Sequence, residues 1–281
     1  MAQSKEQKLW QACTDGDWGT VKKLADDPTV DFNWIGEDRL DTSLHRACRF
    51  GHFEIVEVLL ARSKIEVNRV NKGGASPFNL ACQEGHKEVV SLLLADPRID
   101  PNGPHDEQRT PLWMASQNGH LVAVQYLLAS GREVNTRTRS TLNNKTAAEQ
   151  GRRMVPRGPN DTEETRNRKE TNGPLCADLI DEYERDPVAV RHQLRRQPGL
   201  REHFIGHLFA LVVFHSDSFV VINRRTAHPD TRRFFRITSQ LPLDLQMVLC
   251  NRIFGSPRDI ILSRDSEPGF QLLARTTTWQ Q

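Results

Sequence analysis

Apolar residues in the first half of the chain recur at helical spacing, but a glycine interrupts each helical stretch. Within residues 42–60 the interruption is Gly51, and Val56 and Leu59 follow it on one helix face. A glycine inside a helix costs about 1 kcal/mol relative to alanine. The pattern therefore predicts two short helices, the first ending at Gly51 in a left-handed conformation and the second opening at His52.

This unit recurs along the chain. Gly51, Gly85 and Gly119 are each followed by a histidine and stand 34 residues apart. Gly16 stands 35 residues before the first of them. Each helix alone is too short to be stable in water, so the period predicts a solenoid in which neighbouring units bury one another's apolar stripes. Each unit closes on an asparagine: Asn33, Asn68, Asn102 and Asn135.

Three tetrapeptides give the chain a resemblance to the ankyrin-repeat family, whose units carry Thr-Pro-Leu-His. They are Thr42-Ser-Leu-His45, Ser76-Pro-Phe-Asn79 and Thr110-Pro-Leu-Trp113. The resemblance covers about residues 5–150 and implies an all-α ankyrin-repeat solenoid of about four full repeats and an interrupted fifth. It also implies protein binding on a concave face. The whole arrangement is similar to uncharacterised fungal ankyrin proteins, a similarity that carries no known activity.

The repeat pattern breaks within the fifth unit. Residues 152–173 hold six basic and four acidic residues and almost no apolar ones, so they cannot bury enough surface to offset the cost of ordering. We therefore predict repeats over 5–151, a disordered charged insertion over 152–173 and an outer helix over 174–185 that completes the fifth repeat. Residues 186–281 are predicted to form a small helical domain that caps the solenoid.

Within this C-terminal domain, Asp186 before Pro187 is a good helix start. Residues 200–214 form a strongly apolar helix, which belongs in a core. Another helix is predicted over 242–254. Shorter helices are predicted over 229–238, 257–263 and 267–275.

Composition narrows the class of protein. The 38 basic and 36 acidic residues leave a net charge of +2, too little for the whole chain to attract nucleic acid or an acidic membrane. The N-terminus lacks the apolar core of a signal peptide, and the longest apolar run, 208–214, is too short to span a bilayer. We therefore expect an intracellular monomer in the cytoplasm or nucleus that binds no membrane and no nucleic acid and needs no cofactor.

Three of the five cysteines occupy one equivalent position in successive repeats: Cys13, Cys48 and Cys82. Small residues are needed where stacked helices approach closely, and free cysteine behaves as a small hydrophobe. Ligands strung along a solenoid cannot converge on one metal ion. The cysteines are therefore predicted to pack rather than to ligate.

The ankyrin resemblance assigns partner contacts to hairpin tips and to the C-terminal ends of inner helices. The set mixes signs: the basic Arg39, Arg49 and Lys72 precede the acidic Asp106 and Glu107, so we expect a partner of complementary charge polarity. The candidate residues are Asp38, Arg39, Asp41, Arg49, Phe50, Lys72, Gln83, Glu84, Asp106, Glu107, Arg109, Trp113, Gln117 and Asn118.

The last position of the tetrapeptide varies between repeats. In the family a Thr-to-His link braces the inner helix, and only Thr42 and His45 keep it. Asn79 can imitate the link in part, whereas Trp113 is not expected to. Trp113 has two interpretations: it fills space at the last well-formed interface, or it is an aromatic anchor for a partner.

Catalytic motifs are weak. His203 and His207 share one helix face and could bind a metal with His215 or Asp217, but core-edge histidines are the alternative, and the glutamate of a zinc-protease HExxH motif is missing. No phosphate loop or nucleophile elbow is present. The chain is therefore expected not to be an enzyme. Two alternatives stay open: a regulatory part of a larger enzyme, or an unrecognised activity in the C-terminal domain.

Overall fold

Paired helices follow one another between Lys5 and Arg185. The computed structural model describes residues 3–36, 39–103, 105–153, 162–216 and 243–253. Inner helices pack on inner helices of the next repeat and outer helices on outer ones, which confirms the all-α solenoid. The pairs are α1 (Lys5–Asp15) with α2 (Trp18–Ala25), α3 (Ser43–Phe50) with α4 (Phe53–Leu60), α5 (Pro77–Glu84) with α6 (Lys87–Ala95), α7 (Pro111–Gln117) with α8 (Leu121–Ala129), and α9 (Ala147–Gly151) with α10 (Glu163–Arg185).

Three inner helices, α1, α3 and α5, end at a glycine in the left-handed conformation, as predicted at Gly51. The glycine after α3, Gly51, has a φ of 76°, which a side chain would disfavour. At the other end, a hydroxyl side chain accepts a hydrogen bond from the backbone N–H three residues on, satisfying a donor that the helix leaves unpaired. These N-cap residues are Ser4, Thr42, Ser76, Thr110 and Thr146.

The inner helices meet through small side chains. Cys13, Cys48 and Cys82 are all buried, and burial raises the pKa of the Cys13 thiol to about 12. A thiol with so high a pKa is neither a good nucleophile nor a good metal ligand. At the equivalent place in the fourth repeat, the Ser116 hydroxyl donates to the Ala147 carbonyl at 2.8 Å.

Asparagine side chains tie successive loops together. Asn33 Nδ2 donates to the Lys64 carbonyl at 2.9 Å, and its Oδ1 accepts from the Glu66 N–H at 2.9 Å. Asn68 and Asn102 make the same pair of bonds to the loop of the next repeat. The recurring asparagines are therefore links between repeats.

Histidines at the start of the outer helices cover the glycines of the preceding repeat. A Cβ on Gly51 would lie 2.5 Å from Nδ1 of His86. His86 also donates from Nε2 to the Arg49 carbonyl at 2.8 Å. The Gly-His pairs thus join neighbouring repeats, because the missing glycine side chain leaves room for the next imidazole.

The fifth repeat differs from its expected form. Residues 152–173 were predicted to be disordered, but α10 already begins at Glu163, with Thr162 as its N-cap. The prediction failed over this part because Gly173 is buried against Gly151, where the two backbones touch. Pro174 therefore lies inside the helix and does not start it. Residues 154–161 lie outside the described part.

The buried face of α10 also differs from the expected one. Leu175, Leu179 and Tyr183 are spaced to share one face of this helix, and Tyr183 is buried, but Leu175 is 48% exposed. Cys176 and Ile180 are fully buried instead. The helix is therefore rotated so that small residues meet α9, as the close approach of the two backbones requires.

The C-terminal part forms a second unit from His192 onward. Three helices are described here or at its boundary: α11 (Pro187–Arg196), α12 (Leu200–Ser216) and α13 (Leu243–Ile253). Ile205, Phe209 and Val212 of α12 form a buried cluster with Cys250 of α13. The helices predicted over 229–238, 257–263 and 267–275 lie outside the described residues, and the capping role of 186–281 stays a prediction.

Candidate functional site

The last residue of each tetrapeptide binds the next repeat. His45 Nδ1 accepts from the Thr42 N–H at 3.1 Å, and its Nε2 donates to the Ala75 carbonyl at 3.0 Å. Asn79 Oδ1 accepts from the Ser76 hydroxyl at 2.7 Å, as expected of a partial mimic, and its Nδ2 donates to the Gly103 carbonyl at 3.2 Å. The position thus braces each inner helix against the following hairpin.

In the first and fourth repeats a tryptophan occupies this position and makes the bond to the next repeat. Trp113 Nε1 donates to the Lys145 carbonyl at 3.2 Å, and Trp10 Nε1 donates to the Asp41 carbonyl at 3.0 Å. As expected, the indole does not reproduce the hydroxyl–imidazole link, since the Thr110 hydroxyl accepts from the Trp113 backbone N–H at 3.2 Å. The indole does supply the bond to the next repeat, because its N–H reaches as far as an imidazole one. Trp113 is only 1% exposed, so it fills the interface and is not a partner anchor.

Asp41 is a second candidate that the fold withdraws from the surface. It is 2% exposed, and its Oδ1 accepts from Asn71 Nδ2 at 2.7 Å. Its Oδ2 lies 3.4 Å from Arg46 Nη1. A buried carboxylate needs such partners. Asp41 therefore orders two hairpins instead of contacting a partner.

Most other candidate residues stay at the surface. They line what we call the tip face, made by the hairpin tips and the C-terminal ends of the inner helices. Asp38 lies outside the described residues. Exposed members are Arg39, Phe50, Lys72, Glu84, Asp106 and Glu107, and half-buried ones are Arg49, Gln83, Arg109, Gln117 and Asn118.

The basic half of the tip face lies on the second and third repeats. The Lys72 N–H donates to the Arg39 carbonyl at 2.9 Å, which joins the two hairpin tips. Partial burial lowers the pKa of the Arg49 guanidinium, with Arg39 and Arg46 adding a smaller effect of like charge. Several cations therefore lie close together here.

Arg46 is a member of this region that sequence reasoning missed. Its guanidinium carbon lies 4.5 Å from the Trp10 ring centroid and 5.0 Å from that of Phe50. Its Nε donates to Thr14 Oγ1 at 3.0 Å. The available signal was the spacing of four residues between Arg46 and Phe50, which places both on one side of α3.

The acidic half of the tip face lies on the fourth repeat. Glu107 has a φ of 65° and its carbonyl accepts from the Thr141 N–H at 2.8 Å. Arg109 lies 3.3 Å from the Glu107 carboxylate, and its guanidinium carbon is 5.7 Å from the centroid of the Trp113 ring. One cation is thus partly neutralised, while Asp106 adds an acidic group.

This geometry defines a helical-repeat protein. A family model of ankyrin repeats, three copies, matches residues 44–138, from α3 to the loop after α8. The chain therefore contains ankyrin repeats, which in general are protein–protein interaction modules and whose fold is not enzymatic. No curated protein matches the chain. The similarity to fungal proteins stays a prediction.

Neither a membrane-spanning helix nor a metal site is found among the described residues. Among the helices that the structure describes, none is both long and apolar enough to cross a membrane. Within the same residues no group of three or more His, Cys, Asp or Glu side chains is placed to hold a metal ion. The side chains of His207 and His215, and residue Asp217, lie outside the described part.

Proposed function

We propose that this chain is a non-enzymatic adaptor that binds another protein on the tip face, the concave side expected of such a solenoid. The general role of ankyrin repeats in protein binding supports the proposal. The main supporting observation is that the two ends of the inner helices differ in exposure. Residues at their starts are buried in contacts between repeats, whereas those at their ends and at the tips remain exposed.

The distribution of charge supports selectivity in this binding. Arg39 and Lys72 precede Asp106 and Glu107 along the array, so the tip face changes sign from one half to the other. Complementary charge on a partner steers association and fixes its orientation more than it raises affinity. A partner is therefore expected to lie along the array with its acidic part on the second and third repeats.

Capture of partners from native extract tests the proposal. The full chain should retain a protein that the double variant Arg49→Glu, Lys72→Glu releases, because both changes reverse charge on the tip face. The matched control is Lys23→Glu, Lys87→Glu, which makes the same charge change on exposed positions of the outer helices. Capture equal to that of the control by this variant and also by Asp106→Lys, Glu107→Lys would contradict the proposed function.

A further inference from the structure

Phe50 is an exposed aromatic residue whose ring is held by its neighbours. It is 44% exposed and stacks on Arg46, which also stacks on Trp10. Arg46 is fixed in turn by Thr14 and by the buried Asp41. A side chain that is already ordered loses little freedom on binding, and aromatic residues are enriched in interfaces. Phe50 is therefore prepared to receive an apolar group.

Three cations of the tip face lie on the second and third repeats, and Phe50 belongs to the second of these repeats. The side chains of Arg39 and Lys72 make no ion pair with any residue that the structure describes, and Arg39 contributes its like charge to Arg49. Arg49 precedes Phe50 in α3, and its Nε is buried without a hydrogen-bond acceptor in the described part of the chain. Arg49 as a whole is only half-buried, so the accessible part of its side chain is what an incoming acceptor can approach.

Nearby acidic residues neutralise only part of this charge. Asp41 is buried and paired with Arg46. Glu84 is exposed, acts on Arg49, and accepts from Gln83 Nε2 at 3.0 Å. Asp41 also acts on Arg49, so among the residues that the structure describes these three cations face one exposed and one buried carboxylate, in a chain whose net charge is only +2. Glu37 and Asp38, which precede Arg39, lie outside the described residues.

We propose that this part of the tip face, here called the Phe50 site (Arg39, Arg49, Phe50 and Lys72), binds an acidic peptide segment that carries an aliphatic or aromatic side chain. The inference rests on the proposed function and specifies the chemistry of the partner. Carboxylates of the peptide pair with the three cations, and one reaches the Arg49 guanidinium. The apolar side chain packs on the exposed part of the Phe50 ring.

A peptide fits this site better than a nucleic acid does. Nucleic-acid binding uses a continuous basic stripe with several phosphate contacts. Here Glu84 lies close enough to act on Arg49, and Phe50 is the one aromatic residue among the four that make up the site. The acidic Asp106 and Glu107 on the other half of the tip face would also repel a phosphate backbone that continued along the array.

Selection from a phage-displayed library of random dodecapeptides tests the inference with the full chain as the target. Enriched peptides are synthesised with a fluorescent label, and their affinity is measured by anisotropy at low and at high salt. The test variants are the triple charge reversal Arg39→Glu, Arg49→Glu, Lys72→Glu, and Phe50→Ala. The matched control reverses Lys23, Lys64 and Lys87, which are exposed on outer helices and their loops.

The inference predicts enrichment of peptides rich in Asp and Glu around an apolar residue, with affinity that falls as salt rises. The triple reversal should weaken their binding by more than about tenfold, and Phe50→Ala by about tenfold. The control triple variant should bind as the wild type does. Unchanged circular dichroism of every variant excludes loss of the fold as the cause.

Other results overturn the inference. These are selection of peptides without acidic residues, equal binding by the triple reversal and its control, failure to enrich any peptide, or competition by single-stranded RNA at lower concentration than the peptides. None of these decides the proposed function, because capture from extract can still depend on Asp106 and Glu107. If only the variant Asp106→Lys, Glu107→Lys lost partner capture, the proposed adaptor function would stand and the Phe50 site would be rejected.

Discussion

The fourth and fifth repeats cover the inner helix that precedes them with different parts of the chain. In the fourth repeat the imidazole of His120 lies over Gly85, where a Cβ would overlap the ring. In the fifth, the main chain of α10 lies over Gly119, where a Cβ would be 2.7 Å from the Arg168 carbonyl oxygen. Arg168 Nε also donates to the Asn118 carbonyl at 3.1 Å.

In both repeats the space above the glycine is filled, but by different groups: an imidazole in the fourth repeat and a helix backbone in the fifth. The interface between repeats therefore requires a group in this space and accepts either one. A histidine in a short turn supplies a flat ring and a donor. A helix can do the same if it begins early enough to pass over the glycine, and α10 does so from Glu163. The extra residues of the fifth repeat thus extend its outer helix, and the contact with α9 stabilises that extension.

The largest expected effect is on the contact that allows α10 to cross α9. Gly173→Val should lower the free energy of unfolding by about 3 kcal/mol, because its Cβ would overlap the Gly151 carbonyl. Urea denaturation followed by tryptophan fluorescence measures the loss. In the control Gly19→Val, the new Cβ meets Asp17 Oδ1 at an ordinary 3.4 Å, and a change within about 0.5 kcal/mol is expected. Equal effects would disprove the close crossing.

The histidine contact of the fourth repeat should make stability depend on pH. Burial, with Arg168 as a second cause, lowers the pKa of His120 from its ordinary 6.5 to about 4. The unfolded chain therefore binds a proton that the folded chain refuses, so stability is full above pH 6.5 and falls as the pH drops toward 4. The loss should be on the order of 2 kcal/mol after allowance for solvent screening.

Urea titrations between pH 7 and pH 4 check this dependence. The variant His120→Gln should flatten it, leaving the part due to His45, whose pKa is also lowered by burial. The exposed His192 provides the control substitution His192→Gln. A slope that His120→Gln does not reduce would show that the imidazole titrates freely in the folded protein.

A smaller effect is expected from the indole that joins the fourth and fifth repeats. Trp113→Phe removes the donor to the Lys145 carbonyl and should cost about 1 to 2 kcal/mol of unfolding free energy. Trp34 makes no side-chain hydrogen bond with the described residues, so Trp34→Phe is a matched change of the same atoms. Thermal denaturation gives the Tm of both variants. An equal shift in Tm would show that Trp113 only fills space and that its hydrogen bond adds no stability.

The smallest effect on stability is expected at Arg168 of α10, which lies where the other repeats have a histidine. Arg168→Met keeps the aliphatic stem but removes the donor to Asn118, with an expected loss of about 0.5 to 1 kcal/mol. It should also raise the pKa of His120, since the Arg168 charge helps to lower it. NMR titration of the His120 imidazole measures that shift, and Arg166→Met on the same helix should not reproduce it.

Local signals allowed the sequence to predict the repeats. The left-handed conformation of Gly51 and the hydroxyl cap of Thr42 depend on only a few neighbouring residues, so both could be recognised in isolation. The tip-face residues came from the ankyrin resemblance, and that register placed Arg49 and Phe50 correctly at the end of α3. It could not tell that Asp41 is buried, because its partner Asn71 lies 30 residues away in the next hairpin.

The sequence by itself determined the period, the glycine stop at Gly51 and the class of fold, because glycine turns and apolar spacing act over single helices. Only the tertiary structure decided what α10, Trp113 and Arg46 do. A charged stretch becomes helix once Gly173 meets Gly151, and an indole or a guanidinium finds its acceptor one repeat away. Such contacts depend on stacking distance, which the order of residues within one repeat does not contain.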